Sequence, residues 1–244
     1  MNRNTRHLLG YWGIAAVFGS LIMVGSVASV LRGDYTAPCA VAVALVLALG
    51  LGWYRRRKLR GLLKNETAAP SVLHFKKNLS SAPHGRAISA ALCGLVLAMY
   101  GEFDEARDEL STVSWNGVPP IYEGMRTQTL AVLALLQEKD YRKASELASE
   151  MRDLVAVSTT MPGSKTTRRG ADAFCDACDL LAGLGTNETV KRLEDVVVKL
   201  RPLDAPLTAW ALAEYYRRVG DAKGAQKYVA MVRELAPHCA PLTK

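Results

Sequence analysis

The sequence predicts an all-α protein with an N-terminal transmembrane helical hairpin, followed by an α-solenoid of about four helix pairs. Three observations support this fold class. Two long runs near the N-terminus contain no charged residue. After residue 85, apolar residues return at steps of three and four, as they do on amphipathic helices. A six-residue turn pattern also recurs through this region.

The first predicted membrane span is 11–31, which holds 21 residues without a charge. As a helix it would be about 30 Å long, which matches the hydrocarbon core of a bilayer. The second span, 37–54, has 18 uncharged residues and ends before the sequence RRRK. A cleaved signal peptide is the alternative for the first span, because SVAS resembles a small-residue cleavage site. Both interpretations leave the C-terminal domain on the same side of the membrane.

Charge is distributed unevenly along the chain. Residues 1–84 carry 11 Lys/Arg and 2 Asp/Glu, whereas residues 85–244 carry 20 and 21. The positive-inside rule therefore predicts that both termini and the C-terminal domain are cytoplasmic, and the Arg-rich flank is typical of a bacterial inner membrane. The nearly neutral C-terminal part argues against nucleic acid as a partner. The basic residues expected to contact anionic lipid are Arg55, Arg56, Arg57, Lys58, Arg60 and Lys64.

Small residues recur every four positions in the second span, at Ala40, Ala44, Ala48 and Gly52. Such a stripe lets helix backbones approach closely in lipid, within one hairpin or between copies in a homo-oligomer. The alternative is that Ala and Gly are simply common in membrane helices. The sequence leaves both interpretations open.

The domain boundaries follow from composition. Residues 1–54 hold the two spans, and residues 55–84 are predicted to be a basic juxtamembrane segment and linker, because Pro, Ser, Ala and Asn mix there with little periodicity. Residues 71–79 within that linker can form one short turn of helix against the membrane or the domain. The helical repeat domain is predicted to span 85–244.

The repeated turn pattern appears as GEFDEA, KDYRKA, GTNETV and GDAKGA, and its copies begin 38, 46 and 35 residues apart. Gly101 and Gly220 can adopt the positive φ that ends a helix, and Asp104, Glu188 and Asp221 can cap the next helix or meet its dipole. The acidic residues of the first copy are not shared by the others. We therefore interpret them as a solvated helix start and not as a metal or acid–base site.

This pattern resembles the tetratricopeptide repeat, a helix–turn–helix unit of about 34 residues. In that family a small residue lies where the two helices cross, and the equivalent positions here are Gly94, Val132, Cys178 and Ala213. The resemblance implies a protein-binding face lined by the first helix of each pair, at 86–99, 121–137, 168–184 and 205–219. The residues expected to contact the partner are Tyr122, Arg126, Arg169, Asp172, Tyr215 and Arg217.

Two stretches carry residues that could do chemistry. Cys175 and Cys178 form a CxxC pair, but it has neither a βαβ context nor a second ligand pair, which favours a packing role. The basic insert 164–170, SKTTRRG, is predicted to be an exposed loop that could contact an acidic partner or phosphate.

The sequence predicts a membrane-anchored interaction scaffold that recruits a protein partner. No Ser/His/Asp spacing, phosphate loop or HExxH motif is present, so we expect neither an enzyme nor a bound cofactor or metal. One alternative is a structural subunit of a larger membrane complex. The other is a metal or redox sensor that uses Cys175 and Cys178.

Overall fold

The computed structural model describes residues 61–158 and 164–243. The predicted spans and five of the predicted lipid contacts, Arg55, Arg56, Arg57, Lys58 and Arg60, lie outside these residues. The sixth, Lys64, is described and exposed. Within the described ranges, no helix is both long and apolar enough to cross a membrane. The described residues belong to one compact unit, Arg60–Lys244.

The described part of the chain is all-α, with ten α-helices and no strand. The helices are α1 Ala69–Leu79, α2 Gly85–Tyr100, α3 Phe103–Ser111, α4 Pro120–Leu133, α5 Tyr141–Ala156, α6 Ser164–Leu181, α7 Asn187–Val197, α8 Ala205–Arg218, α9 Ala222–Leu235 and α10 Ala240–Thr243. A 3₁₀ turn, Leu62–Lys64, precedes α1, and a π-helical turn, Ala134–Glu138, continues α4.

Eight of the helices pack as four hairpins, α2–α3, α4–α5, α6–α7 and α8–α9. Gly101 and Gly220 have φ of +90° and +79° at the first and last turns, as predicted. The second turn places Lys139 in the left-handed region, with φ of +57°, which is less favourable for a residue with a side chain. In the third turn the left-handed residue is Gly183, two positions before the predicted turn pattern.

The four positions that the repeat alignment singles out are all buried, and the first of them, Gly94, lies where helices approach closely. Gly94 of α2 is buried, and a Cβ added there would lie 3.2 Å from the carbonyl oxygen of Ala106 and 3.2 Å from Cγ2 of Thr129. The helix α2 therefore touches both α3 and α4 at this glycine. The equivalent residues Val132, Cys178 and Ala213 are also buried.

Helix starts use capping side chains at some turns but not at others. Asp221 caps α9, because its Oδ1 accepts a hydrogen bond from the backbone N–H of Gly224 at 2.9 Å. A reciprocal pair, Thr186 and Thr189, caps α7. Asp104 lies in the first turn of α3, where it meets the positive end of the helix dipole without a side-chain cap.

The folded unit begins earlier than the sequence predicts. Residues 55–84 are predicted to be a linker, but Leu62 and Leu63 are buried in the core and α1 packs against α2. The hydroxyl of Tyr100 at the end of α2 donates to the carbonyl oxygen of Asn65 at 2.7 Å. Leu62, Leu63 and Phe75 of this segment are therefore core residues of the helical unit.

The first helices of the hairpins form much of the core. All residues 205–213 of α8 are buried, and so is most of α2. The C-terminal helix α10 packs on both α2 and α8. Gln128 of α4 donates to the buried Asp204, just before α8, at 3.2 Å. The parts of the expected groove that α2 and α8 supply are therefore largely interior, because helices that are apolar on all sides become buried.

A polar cluster closes the junction of α7, α8 and α9. The hydroxyls of Tyr216 and Tyr228 both donate to Oε1 of Glu194, at 3.0 and 2.7 Å. The two rings are stacked with their centroids 5.8 Å apart. Burial, together with the hydrogen bond to Glu194, raises the pKa of Tyr216 to about 12. This junction joins the last two hairpins.

Candidate partner-binding cleft

A charged cleft with a volume of about 630 Å³ opens between α5, α6 and α7. Ala173 and Val196 supply apolar surface within it. The remaining side chains that line it are charged, and they are Arg152 of α5, Lys165, Arg168, Arg169, Asp172 and Asp176 of α6, and Arg192 and Asp195 of α7.

Helical spacing on α6 explains why its charges share one face. Lys165, Asp172 and Asp176 follow one another at steps of seven and four, which return to the same side of a helix. Phe174 and Cys178 point the other way and are buried in the core. The helix is therefore amphipathic, with its charged face turned toward α5 and α7.

One ion pair is made within the cleft. Arg192 of α7 donates two hydrogen bonds to Asp176 of α6, at 2.9 and 3.1 Å. The hydrogen bond to Asp176 raises the pKa of Arg192 above its usual value. A guanidinium that meets both oxygens of a carboxylate is held in a fixed orientation, so this pair links α6 to α7.

The other cations of the cleft have no carboxylate partner within the described residues. The side chains of Lys165, Arg168 and Arg169 make no ion pair or hydrogen bond there. Arg152 donates only to the hydroxyl of Ser149, at 3.3 Å. Five cations face three carboxylates in the cleft, and one carboxylate is already paired. The cleft therefore carries an excess of positive charge that is free to meet an anion.

The structure brings together two of the six residues predicted to contact a partner, Arg169 and Asp172. The other four make local contacts elsewhere. Tyr122 packs beside His84, Arg126 lies over the ring of Trp115, Tyr215 donates to Oδ1 of Asn187, and Arg217 pairs with Glu214.

Sequence reasoning missed Arg152 and Arg192, because they lie on α5 and α7, the second helices of their hairpins. It singled out the basic insert 164–170 as a possible contact but predicted a loop, whereas the structure places this stretch in the first turns of α6. The clustering of three cations at 165–169 was the signal that could have identified the cleft.

The cysteines of α6 face the core. Cys175 and Cys178 are both buried. Burial raises the pKa of the Cys175 thiol to about 11 and raises that of Cys178 well above its usual value. Their thiolate forms are therefore disfavoured at neutral pH. Within the described residues, no group of three or more His, Cys, Asp or Glu side chains is arranged to hold a metal ion.

Comparisons with protein-family models, curated proteins and solved structures found no family, protein or structure that matches this chain. The hairpins are compatible with a helical repeat, and the similarity to the tetratricopeptide repeat remains an expectation from the sequence.

Proposed function

We propose that this chain is a membrane-tethered adaptor whose helical domain binds a protein partner in the cleft between α5, α6 and α7. The observation that carries the proposal is the set of exposed, unpaired cations there. Holding Lys165, Arg168 and Arg169 close together without counter-charges does not stabilise the fold, because like charges repel. A binding role accounts for them, since guanidinium groups on a preformed surface recognise anionic groups of a partner.

The rest of the architecture fits an adaptor. A helical-repeat fold presents a wide surface formed before the partner arrives, so little ordering cost falls on the protein. The predicted hairpin at 11–54 would hold the domain at the cytoplasmic side of a membrane. Such a tether raises the effective concentration of the bound partner near other membrane proteins.

Site-specific photo-crosslinking in host membranes tests this proposal. A photoreactive amino acid replaces Arg169 in the full-length chain, and a matched probe replaces Arg142, which is exposed on α5 outside the cleft. We expect the probe at 169 to capture a protein that the probe at 142 does not. That capture should be lost when Arg168 and Arg152 are also changed to Ala.

Two outcomes would contradict the proposal. If both probes capture the same protein, or if capture at 169 survives loss of the two arginines, the charged cleft is not the binding surface. A partner that is retained through the predicted spans alone would instead favour the alternative of a structural subunit in a larger membrane complex.

A further inference from the structure

The charges that the cleft leaves unpaired have both signs. After Asp176 pairs with Arg192, four cations remain without a carboxylate partner among the described residues. Asp172 and Asp195 line the same cleft and also have no ion pair there. A ligand must therefore carry negative charge to pair with the free cations. It must also either keep its negative groups away from the two carboxylates or present positive groups to them.

This combination of charges favours some classes of anionic ligand over others. An acidic run or a nucleic acid carries negative charge along its length, so part of it would meet Asp172 and Asp195 and be repelled. A phosphoryl group concentrates a charge of about −1.5 to −2 and three acceptor oxygens at one point. A phosphoryl group can accept hydrogen bonds from several guanidinium groups, and the residues that flank it in a peptide can be positively charged.

We propose that the cleft recognises a phosphorylated serine or threonine flanked by basic residues in the protein partner, an inference that rests on the proposed function. Arg152, Arg168 and Arg169 donate to the phosphoryl oxygens, as arginine clusters do in phosphate recognition. Asp172 and Asp195 accept hydrogen bonds from the basic flanking residues. The Arg192–Asp176 pair holds α6 and α7 together at the side of the cleft.

Binding of matched peptide libraries tests this inference. The full-length chain in lipid nanodiscs is offered short peptides with randomised flanks and a central phosphoserine, serine or glutamate. We expect retention of the phosphoserine series, with Lys and Arg enriched in the flanks. Changing Arg168 and Arg169 to Ala should weaken the best phosphopeptide about tenfold or more. The control change Arg142→Ala should alter its affinity by less than about twofold.

A second variant tests the role of the carboxylates. Replacing Asp172 and Asp195 by Asn removes two negative charges without a large change in shape. We expect the preference for basic flanks to disappear and the glutamate series to bind more tightly than it does to the unchanged chain. If the preference for basic flanks survives this double change, the carboxylates do not select the ligand.

The outcomes distinguish failure of this inference from failure of the proposed function. Equal binding of the glutamate and phosphoserine series, lost in the arginine variant, would overturn phosphate recognition but leave partner binding at the cleft intact. Inorganic phosphate or a single-stranded oligonucleotide that competes as well as the phosphopeptide would also overturn it. If no series binds and the probe at 169 captures nothing, the proposed function fails as well.

Discussion

Two junctions between helices use polar side chains in opposite ways. Where α7, α8 and α9 meet, Tyr216 and Tyr228 donate to Glu194 and the ring of Tyr228 is fully buried. Where α5, α6 and α7 meet, Arg168 and Arg169 are exposed and have no partner within the described residues. The first junction satisfies its own polar groups and holds hairpins together, whereas the second leaves charge available to another molecule.

The comparison shows that residue type alone does not separate structural from binding sites. Both junctions contain residues of α7, and both combine carboxylates with hydrogen-bond donors. Burial and pairing make the difference, because an unsatisfied polar group costs free energy only when it is shielded from water. We therefore expect substitutions at the closed junction to change stability, and substitutions in the cleft to change binding.

The largest effect is expected from Tyr228→Ala. This change empties a buried site and removes a hydrogen bond to Glu194, so the free energy of unfolding should fall by about 3–5 kcal/mol. Urea denaturation followed by circular dichroism measures the loss. Tyr228→Phe removes only the hydroxyl and should lower the free energy of unfolding by about 1 kcal/mol. A loss below 1 kcal/mol for the alanine variant would mean that the junction does not join the last hairpins.

A smaller loss of stability is expected from Gly170→Ala in α6, at a buried position that faces Asp204. A Cβ there would lie 2.8 Å from Oδ2 of Asp204 and 3.2 Å from Nη2 of Arg201, so the buried Asp204 must shift. Its hydrogen bonds to Arg201 and Gln128 would then lengthen. We expect a net loss of about 1–2 kcal/mol by urea denaturation. In the interior of a solvent-exposed helix, Gly→Ala raises the free energy of unfolding by about 1 kcal/mol. A gain of that size here would contradict the prediction.

Much of the fold could be predicted because its signals are local. Apolar residues at helical steps identify the helices, and the positive φ of Gly101 and Gly220 follows from the absence of a side chain. The sequence also indicated that α8 is buried, since 205–213 contains no charged residue and is apolar on nearly every side. That pattern is typical of a core helix and not of one wall of an open groove.

The cleft could be predicted only in part because it depends on packing between distant segments. Arg152 and Arg192 are 40 positions apart in the sequence and line the same cleft only because α6 packs against both α5 and α7. The basic stretch 164–170 contains Ser, Thr and Gly, which have low helix propensity, so a loop was expected. Tertiary packing of the rest of α6 overrides that local preference.

Alkaline pH should weaken the closed junction between α7, α8 and α9. Burial and Glu194 raise the pKa of Tyr216 to about 12, and the same causes raise the pKa of Tyr228. A raised folded pKa stabilises the protein below the unfolded value of about 10, and this contribution is lost as the pH rises from about 10 toward 12. Urea midpoints across this range should fall, and they should fall less steeply for Tyr216→Phe. An unchanged slope in that variant would contradict the assignment.

The smallest effect is expected from Arg192→Ala, which breaks the ion pair with Asp176 in the cleft. The Arg192 side chain is 57% exposed, so water and salt screen the pair and its loss should cost at most about 1 kcal/mol by urea denaturation. The difference from the unchanged chain should shrink as salt is added. Arg168→Ala breaks no ion pair, so its free energy of unfolding should be within about 0.5 kcal/mol of that of the unchanged chain. A loss of several kcal/mol in either variant would show that the cleft charges hold the fold together, and the distinction between a structural and a binding junction would then fail.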